Sequence, residues 1–276
     1  MRREATEFIG TMTLLVAIVG SGIATSVDGA ASTQLFQHAM VVGLVLAGLI
    51  VVLLPMSGAH FNPAVTLAIR MAGGIDTRRA WRYVAAQVAG ACAGVVIANL
   101  LFSQPAVAIG STVRAGPALW ASEVFATAGL VLVILLLVHT ERTRLVPAAV
   151  GAWIGAAIFF TPSMAFANPA VSISRMLTDT WTAIAPASVP GFVIAQFAGA
   201  VAAVIVATWL LPVAIPAATT AVVGNGATPA TEGSAATPAT SATVPSATVP
   251  SATVPSATVP SATDRSTDSS SDQEHL

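Results

Sequence analysis

Ser57-Gly58-Ala59-His60-Phe61-Asn62-Pro63-Ala64-Val65-Thr66-Leu67 and Ser163-Met164-Ala165-Phe166-Ala167-Asn168-Pro169-Ala170-Val171-Ser172-Ile173-Ser174-Arg175 carry the same tripeptide, Asn-Pro-Ala, after a long apolar stretch. Asn is a strong helix N-cap, and Pro at the first helical position lacks only an N–H that would go unbonded there anyway. Each copy therefore reads as the start of a short helix within an apolar region. Only four Asn occur in the chain, and two of them stand in this box at corresponding places of two similar halves. A chance pair of helix caps is the weaker reading.

With 55% hydrophobic and 8% charged residues the chain is a polytopic membrane protein rather than an ordinary soluble domain. Its net charge of −1 and its scattered arginines, with no Lys, do not form a nucleic-acid-reading surface. The single cysteine, Cys92, excludes an intrachain disulfide and a cysteine-based metal site, and its Gly/Ala-rich surroundings read as those of a buried small hydrophobe. No cofactor is expected.

Six apolar spans are expected, at about 8–27, 36–54, 81–102, 118–139, 145–161 and 189–211. The first follows Met1-Arg2-Arg3-Glu4 and is long for a signal-peptide core, with no clear small-residue cleavage site behind it, so it reads as a span. If the two short helices dip in and return, loops on the amino-terminal side hold eight arginines (Arg2, Arg3, Arg70, Arg78, Arg79, Arg82, Arg142 and Arg144), against Arg114 and Arg175 on the other. The positive-inside rule then puts both termini in the cytoplasm and the protein in the cell (inner) membrane.

The halves echo each other beyond the boxes. Glu7-Phe8-Ile9-Gly10-Thr11 matches Glu123-Val124-Phe125-Ala126-Thr127, and Gln87-Val88-Ala89-Gly90-Ala91 matches Gln196-Phe197-Ala198-Gly199-Ala200. A unit with three spans crosses the membrane an odd number of times, so its second copy is inverted. The fold expected is all-α: six transmembrane helices plus two re-entrant half-helices, with repeats at about 1–112 and 113–213. Gly90 with Gly94 and Gly151 with Gly155 read as helix-packing positions. Residues 214–276 are rich in Ser, Ala, Thr, Val and Pro, with Ser-Ala-Thr-Val-Pro written four times, and read as a disordered cytoplasmic spacer.

The paired boxes, with the Ser-Gly-Ala-His lead-in of the first, resemble the aquaporin and glycerol-facilitator family over roughly residues 4–213. The resemblance implies a passive channel for small neutral solutes, a homotetramer in lipid, and no enzyme activity. An ion-coupled secondary transporter is the alternative. In most members an arginine follows the second box; here Val171 does, which resembles a bacterial branch associated with arsenic detoxification. Water, glycerol, undissociated arsenite and methylated arsenicals are therefore the solutes to expect.

Irregular backbone at membrane depth survives only where protein covers it or water reaches it, so the lead-ins to the boxes should line an aqueous path. Asn62 and Asn168 are expected to donate to a solute at its midpoint, beside two positive helix ends that repel cations. By family position the filter falls on Val42, Ala156, Val171 and a residue within Met164–Phe166, with Phe166 favoured: a wide, apolar opening without a fixed charge. Arg175, about 6 Å further out at 1.5 Å per residue, is placed at the mouth. Glu7 and Glu123 are costly in apolar helices; their twofold placement favours bracing of the re-entrant loops over a proton relay, with Gln87 and Gln196 as polar glue. His60 reads as a bracing or vestibule residue, and His38 and His139 as span-end residues with tips at the interface.

Overall fold

The computed structural model describes residues 1–26 and 30–211. The expectations for the segment 214–276 lie outside them. Helices α1 (Arg2–Ala24), α2 (Ala31–Ser57), α3 (Pro63–Met71), α4 (Thr77–Leu101), α5 (Pro117–His139), α6 (Val146–Phe160), α7 (Pro169–Ser174) and α8 (Val189–Leu210) follow in order. Three 3-10 turns accompany them: Thr143–Leu145 before α6, Arg175–Leu177 after α7, and Pro186–Ser188 before α8. Among the described residues six helices are long and apolar enough to cross a membrane, with α6 and α8 counted together with their leading turns. The two short helices, α3 and α7, begin at the Asn-Pro-Ala boxes.

Several helices run past the expected spans. α1 starts at Arg2 rather than near residue 8, and α2 covers Ala31–Ser57 rather than 36–54. Hydropathy marks only the stretch a membrane must cover, whereas backbone hydrogen bonding carries the helix on into polar sequence such as Arg3, Glu4 and Gln34. α2 stops where Gly58, at φ 93°, takes the left-handed conformation and donates its N–H to the Leu54 carbonyl.

Packing follows the repeat. α1 lies against α4 and α5 against α8, while α2 and α6 form the pair that relates the halves. Small residues set these approaches: a Cβ on Gly90 or Gly94 would strike the Phe8 or Met12 carbonyl of α1, and one on Gly199 would strike Val124 of α5. Gly43 and Gly151 meet backbone to backbone at the α2–α6 crossing, with Gly155 beside them. Cys92 differs from expectation in being only half-buried on α4, because the buried stripe of that helix runs through Gln87, Gly90, Ala91, Gly94 and Val95.

Candidate transport channel

The centre of the molecule is built from the two boxes. Asn62 and Asn168 each cap their own short helix, Oδ1 accepting from Ala64 N at 2.8 Å and from Ala170 N at 2.9 Å. Each amide also reaches across the repeat: Asn62 Nδ2 donates to the Ala167 carbonyl at 2.8 Å and Asn168 Nδ2 to the Phe61 carbonyl at 2.9 Å. The boxes are thus tied to each other. One of the two N–H groups of each amide is committed there, which leaves one per Asn for a solute.

Ahead of each box the chain takes conformations that side chains rarely adopt, with φ of 48° at Ala59, 49° at Phe61, 61° at Met164, 38° at Ala165 and 47° at Ala167. Such residues cost of order 1–3 kcal/mol each and persist only where their surroundings hold them. Two buried carboxylates do so. Glu7 accepts from Ser57 Oγ at 2.6 Å, His60 N at 3.1 Å, Phe61 N at 2.7 Å and Gln87 Nε2 at 2.8 Å. Glu123 accepts from Phe166 N at 2.9 Å, Ala167 N at 2.8 Å and Gln196 Nε2 at 2.7 Å. The glutamines continue outward alike, Gln87 to Thr66 Oγ1 at 3.0 Å and Gln196 to Ser172 Oγ at 2.8 Å.

A trans peptide points its carbonyl opposite to its N–H. With the N–H groups of His60, Phe61, Phe166 and Ala167 turned back onto the glutamates, the carbonyls of Ala59, His60, Ala165 and Phe166 face the other way, into the channel these segments line. The opposite wall is aliphatic, from Leu14, Ile18, Val42, Leu46 and Ile50 to Leu130, Val150, Ile154 and Ile158. Neither glutamate nor either glutamine is among the lining residues.

The family model described as Major intrinsic protein matches residues 1–167. Aquaglyceroporin AqpS of Rhizobium meliloti (strain 1021) is 44% identical over 216 residues, which cover 78% of this chain and 92% of that protein. The chain belongs to the major intrinsic protein family. It is a passive membrane channel and not an enzyme. Shorter matches join it to human Aquaporin-5 (43% over 91 residues, 33% of each chain) and to the Glycerol uptake facilitator protein of Escherichia coli K12 (37% over 98 residues, 35% of this chain and 34% of that one). The X-ray structure of the aquaglyceroporin from Plasmodium falciparum superposes with a TM-score of 0.63 at 22% identity, covering 76% of this chain and 97% of that one, and shows the shared fold.

Within this major intrinsic protein, Asn62, Asn168, His60, Val42, Phe166, Val171 and Arg175 all line one continuous channel. Ala156 does not. It lies exposed on the far side of α6, whose channel face is Val150, Ile154 and Ile158 at helical spacing. Counting from family position therefore lands on the wrong face of this helix. The expectation of an opening without fixed charge is also corrected: Arg175 is 2% exposed and faces the channel, with its guanidinium 3.6 Å above the Phe166 ring and Nε bonded to the Thr182 carbonyl. α7 gives way to a 3-10 turn at Arg175, which tightens the winding and carries the side chain inward rather than out to the mouth.

His38 is a second correction. It is buried in the channel wall, not placed at an interface, with Nδ1 at 2.8 Å from Ser21 Oγ and its ring edge-on to Trp181 at 5.2 Å. The loop after α7 takes a role that its side chains do not signal. Its carbonyls hold the outer arginines: Thr182 takes Arg175, while Trp181 and Ala183 take Arg114 Nη2 at 3.3 Å and Nε at 2.8 Å. Asn99 ties this loop down, accepting from Thr178 Oγ1 at 2.8 Å and donating to the Leu177 carbonyl at 3.2 Å. Backbone acceptors carry no side-chain signature. The one visible signal was Asn99, a polar residue at the end of an apolar helix.

Proposed function

We propose that the channel passes water and neutral hydroxylated solutes up to about the size of glycerol down their gradients, and that undissociated arsenous acid and methylated arsenicals are among them. The observation that carries this reading is the two-sided wall. A file of free carbonyls with one amide N–H on each of Asn62 and Asn168 faces a file of aliphatic side chains. A solute with hydroxyls along one edge and C–H or methyl groups along the other exchanges its hydration shell for matched contacts on both sides. The names of the relatives, aquaglyceroporin and glycerol uptake facilitator, support the same class.

Val171 and Val42 make the channel aliphatic one residue beyond the box and across from it, so bulky solutes meet no charged side chain at that level. Glu7 and Glu123 act as braces. Their partners are the protein's own backbone, Ser57, Ser163 and the two glutamines, and they stay behind the wall. That placement weighs against the proton-coupled transporter, whose carboxylate has to meet solute or water in the course of transport. Both termini are assigned to the cytoplasm on the arginine distribution, and the functional unit to a homotetramer with one channel per chain. Stopped-flow shrinkage of proteoliposomes under gradients of water, glycerol, urea and arsenous acid tests the proposal. Protein-dependent flux of glycerol and arsenous acid is expected; flux of water alone contradicts it.

A further inference from the structure

The outer part of the channel holds two polar side chains that the wall described above leaves unused. Arg175 is buried, is stacked on Phe166 and has no carboxylate within ion-pair distance among the described residues. Its Nη2 is fully enclosed and has no hydrogen-bond partner among the described residues. A buried guanidinium N–H without an acceptor is costly, so such a group is retained where something accepts from it in the working state. His38 spends Nδ1 on Ser21, and among the described residues no hydrogen bond reaches Nε2. Both residues line the channel.

Their positions are linked. His38 lies four residues before Val42 on α2, and Arg175 four residues after Val171. α2 runs toward the midplane and α7 away from it, so both steps lead outward, by about 6 Å or one turn of the regular helix α2 for His38 and into the 3-10 turn after α7 for Arg175. The two facing walls change from aliphatic to polar at the same level. The pair is also rigidly set: Ser21 orients His38, Trp181 meets its ring edge to face, and the neighbouring Thr182 carbonyl fixes Arg175.

We propose that His38 and Arg175 form an oxygen-binding subsite for neutral solutes that carry two or three hydroxyls on a small centre, such as a polyol or an undissociated oxyacid. The proposal rests on the reading of the chain as a channel for hydroxylated solutes and places the point of discrimination one turn outward of Val42 and Val171. The Arg175 guanidinium donates to one oxygen and His38 Nε2 pairs with a second hydroxyl. The guanidinium covers the Phe166 ring, so this wall presents donors to the solute rather than an aromatic face. One turn inward the valines offer no polar partner, so the solute is held weakly enough to leave. The unpaired charge of Arg175 turns cations away at the same level.

The test compares glycerol with urea, a smaller neutral solute with one carbonyl oxygen and no hydroxyl, in proteoliposomes carrying the parent, His38→Ala, His38→Gln or Arg175→Lys. A merely steric role moves both fluxes together. Urea has one oxygen for Arg175 and no second oxygen for His38, so loss of the His38 partner lowers glycerol more than urea, and the glycerol-to-urea ratio is expected to fall roughly tenfold in His38→Ala, about the worth of one hydrogen bond, with partial recovery in His38→Gln. A ratio within about twofold of the parent in correctly inserted His38→Ala overturns the subsite, whether or not Arg175→Lys folds. A parent that passes water but no glycerol overturns the functional reading and the subsite with it, an outcome distinct from loss of the ratio alone.

Discussion

The two box regions are the same scaffold with different walls. Behind the backbone they agree almost atom for atom: a glutamate on two N–H groups, a glutamine on that glutamate, and a hydroxyl, Thr66 or Ser172, on the glutamine. Facing the channel they diverge. Two residues before the Asn stands His60 in the first copy and Phe166 in the second; seven residues after it stand Ile69 and Arg175. The repeat keeps its symmetry where backbone in a rare conformation has to be held, and gives it up where a solute is met.

The sharpest way to break that comparison is to remove a brace. Glu7→Ala or Glu123→Ala strands two buried N–H groups and a glutamine amide, at about 1–3 kcal/mol for each unpaired group. Thermal unfolding in detergent is expected to drop steeply and by similar amounts in the two variants. A large drop in one half with none in the other would show that the equivalence is only apparent.

A smaller effect is expected from making the walls differ further. Val171→Arg adds a second guanidinium next to Arg175 and narrows the aliphatic level, so glycerol flux should fall at least roughly tenfold while water falls less. Equal loss of both solutes would mean that the variant blocks the channel rather than tuning it.

The boxes themselves offer the smallest contrast. Asn62→Ala and Asn168→Ala each lose a helix cap worth about 1 kcal/mol, together with one bond between the halves. Conduction is expected to fall to a similar extent in both, measured as flux per inserted protein. Normal flux through both variants would remove the Asn pair from the solute path.

What the sequence made legible is the symmetric part. A tripeptide written twice, with glutamate and glutamine in matching spans, locates the re-entrant helices and the buried polar groups around them, because bringing charge into an apolar helix needs a reason that composition exposes. The asymmetric part was harder to see. α6 is apolar on every side, so periodicity assigns it no channel face, and family position points to Ala156 where Ile154 and Ile158 line the channel. His38 stands near the end of the hydropathic span, but α2 begins well before that end. The regular-helix spacing of Arg175 from the box fails because the helix tightens at that residue. The carbonyls of Trp181–Ala183, which hold the outer arginines, have no counterpart in side-chain identity.

The central claim is that the polar groups of the two halves support a passive path and that the buried glutamates take no part in moving protons. It is tested most directly by following solute in proteoliposomes with and without an imposed proton gradient, in the parent protein and in Glu123→Gln. Flux is expected to stop when solute concentrations are equal on both sides, to be unchanged by the proton gradient, and to persist in Glu123→Gln. Uphill accumulation driven by the proton gradient in the parent, and lost in Glu123→Gln, would contradict it.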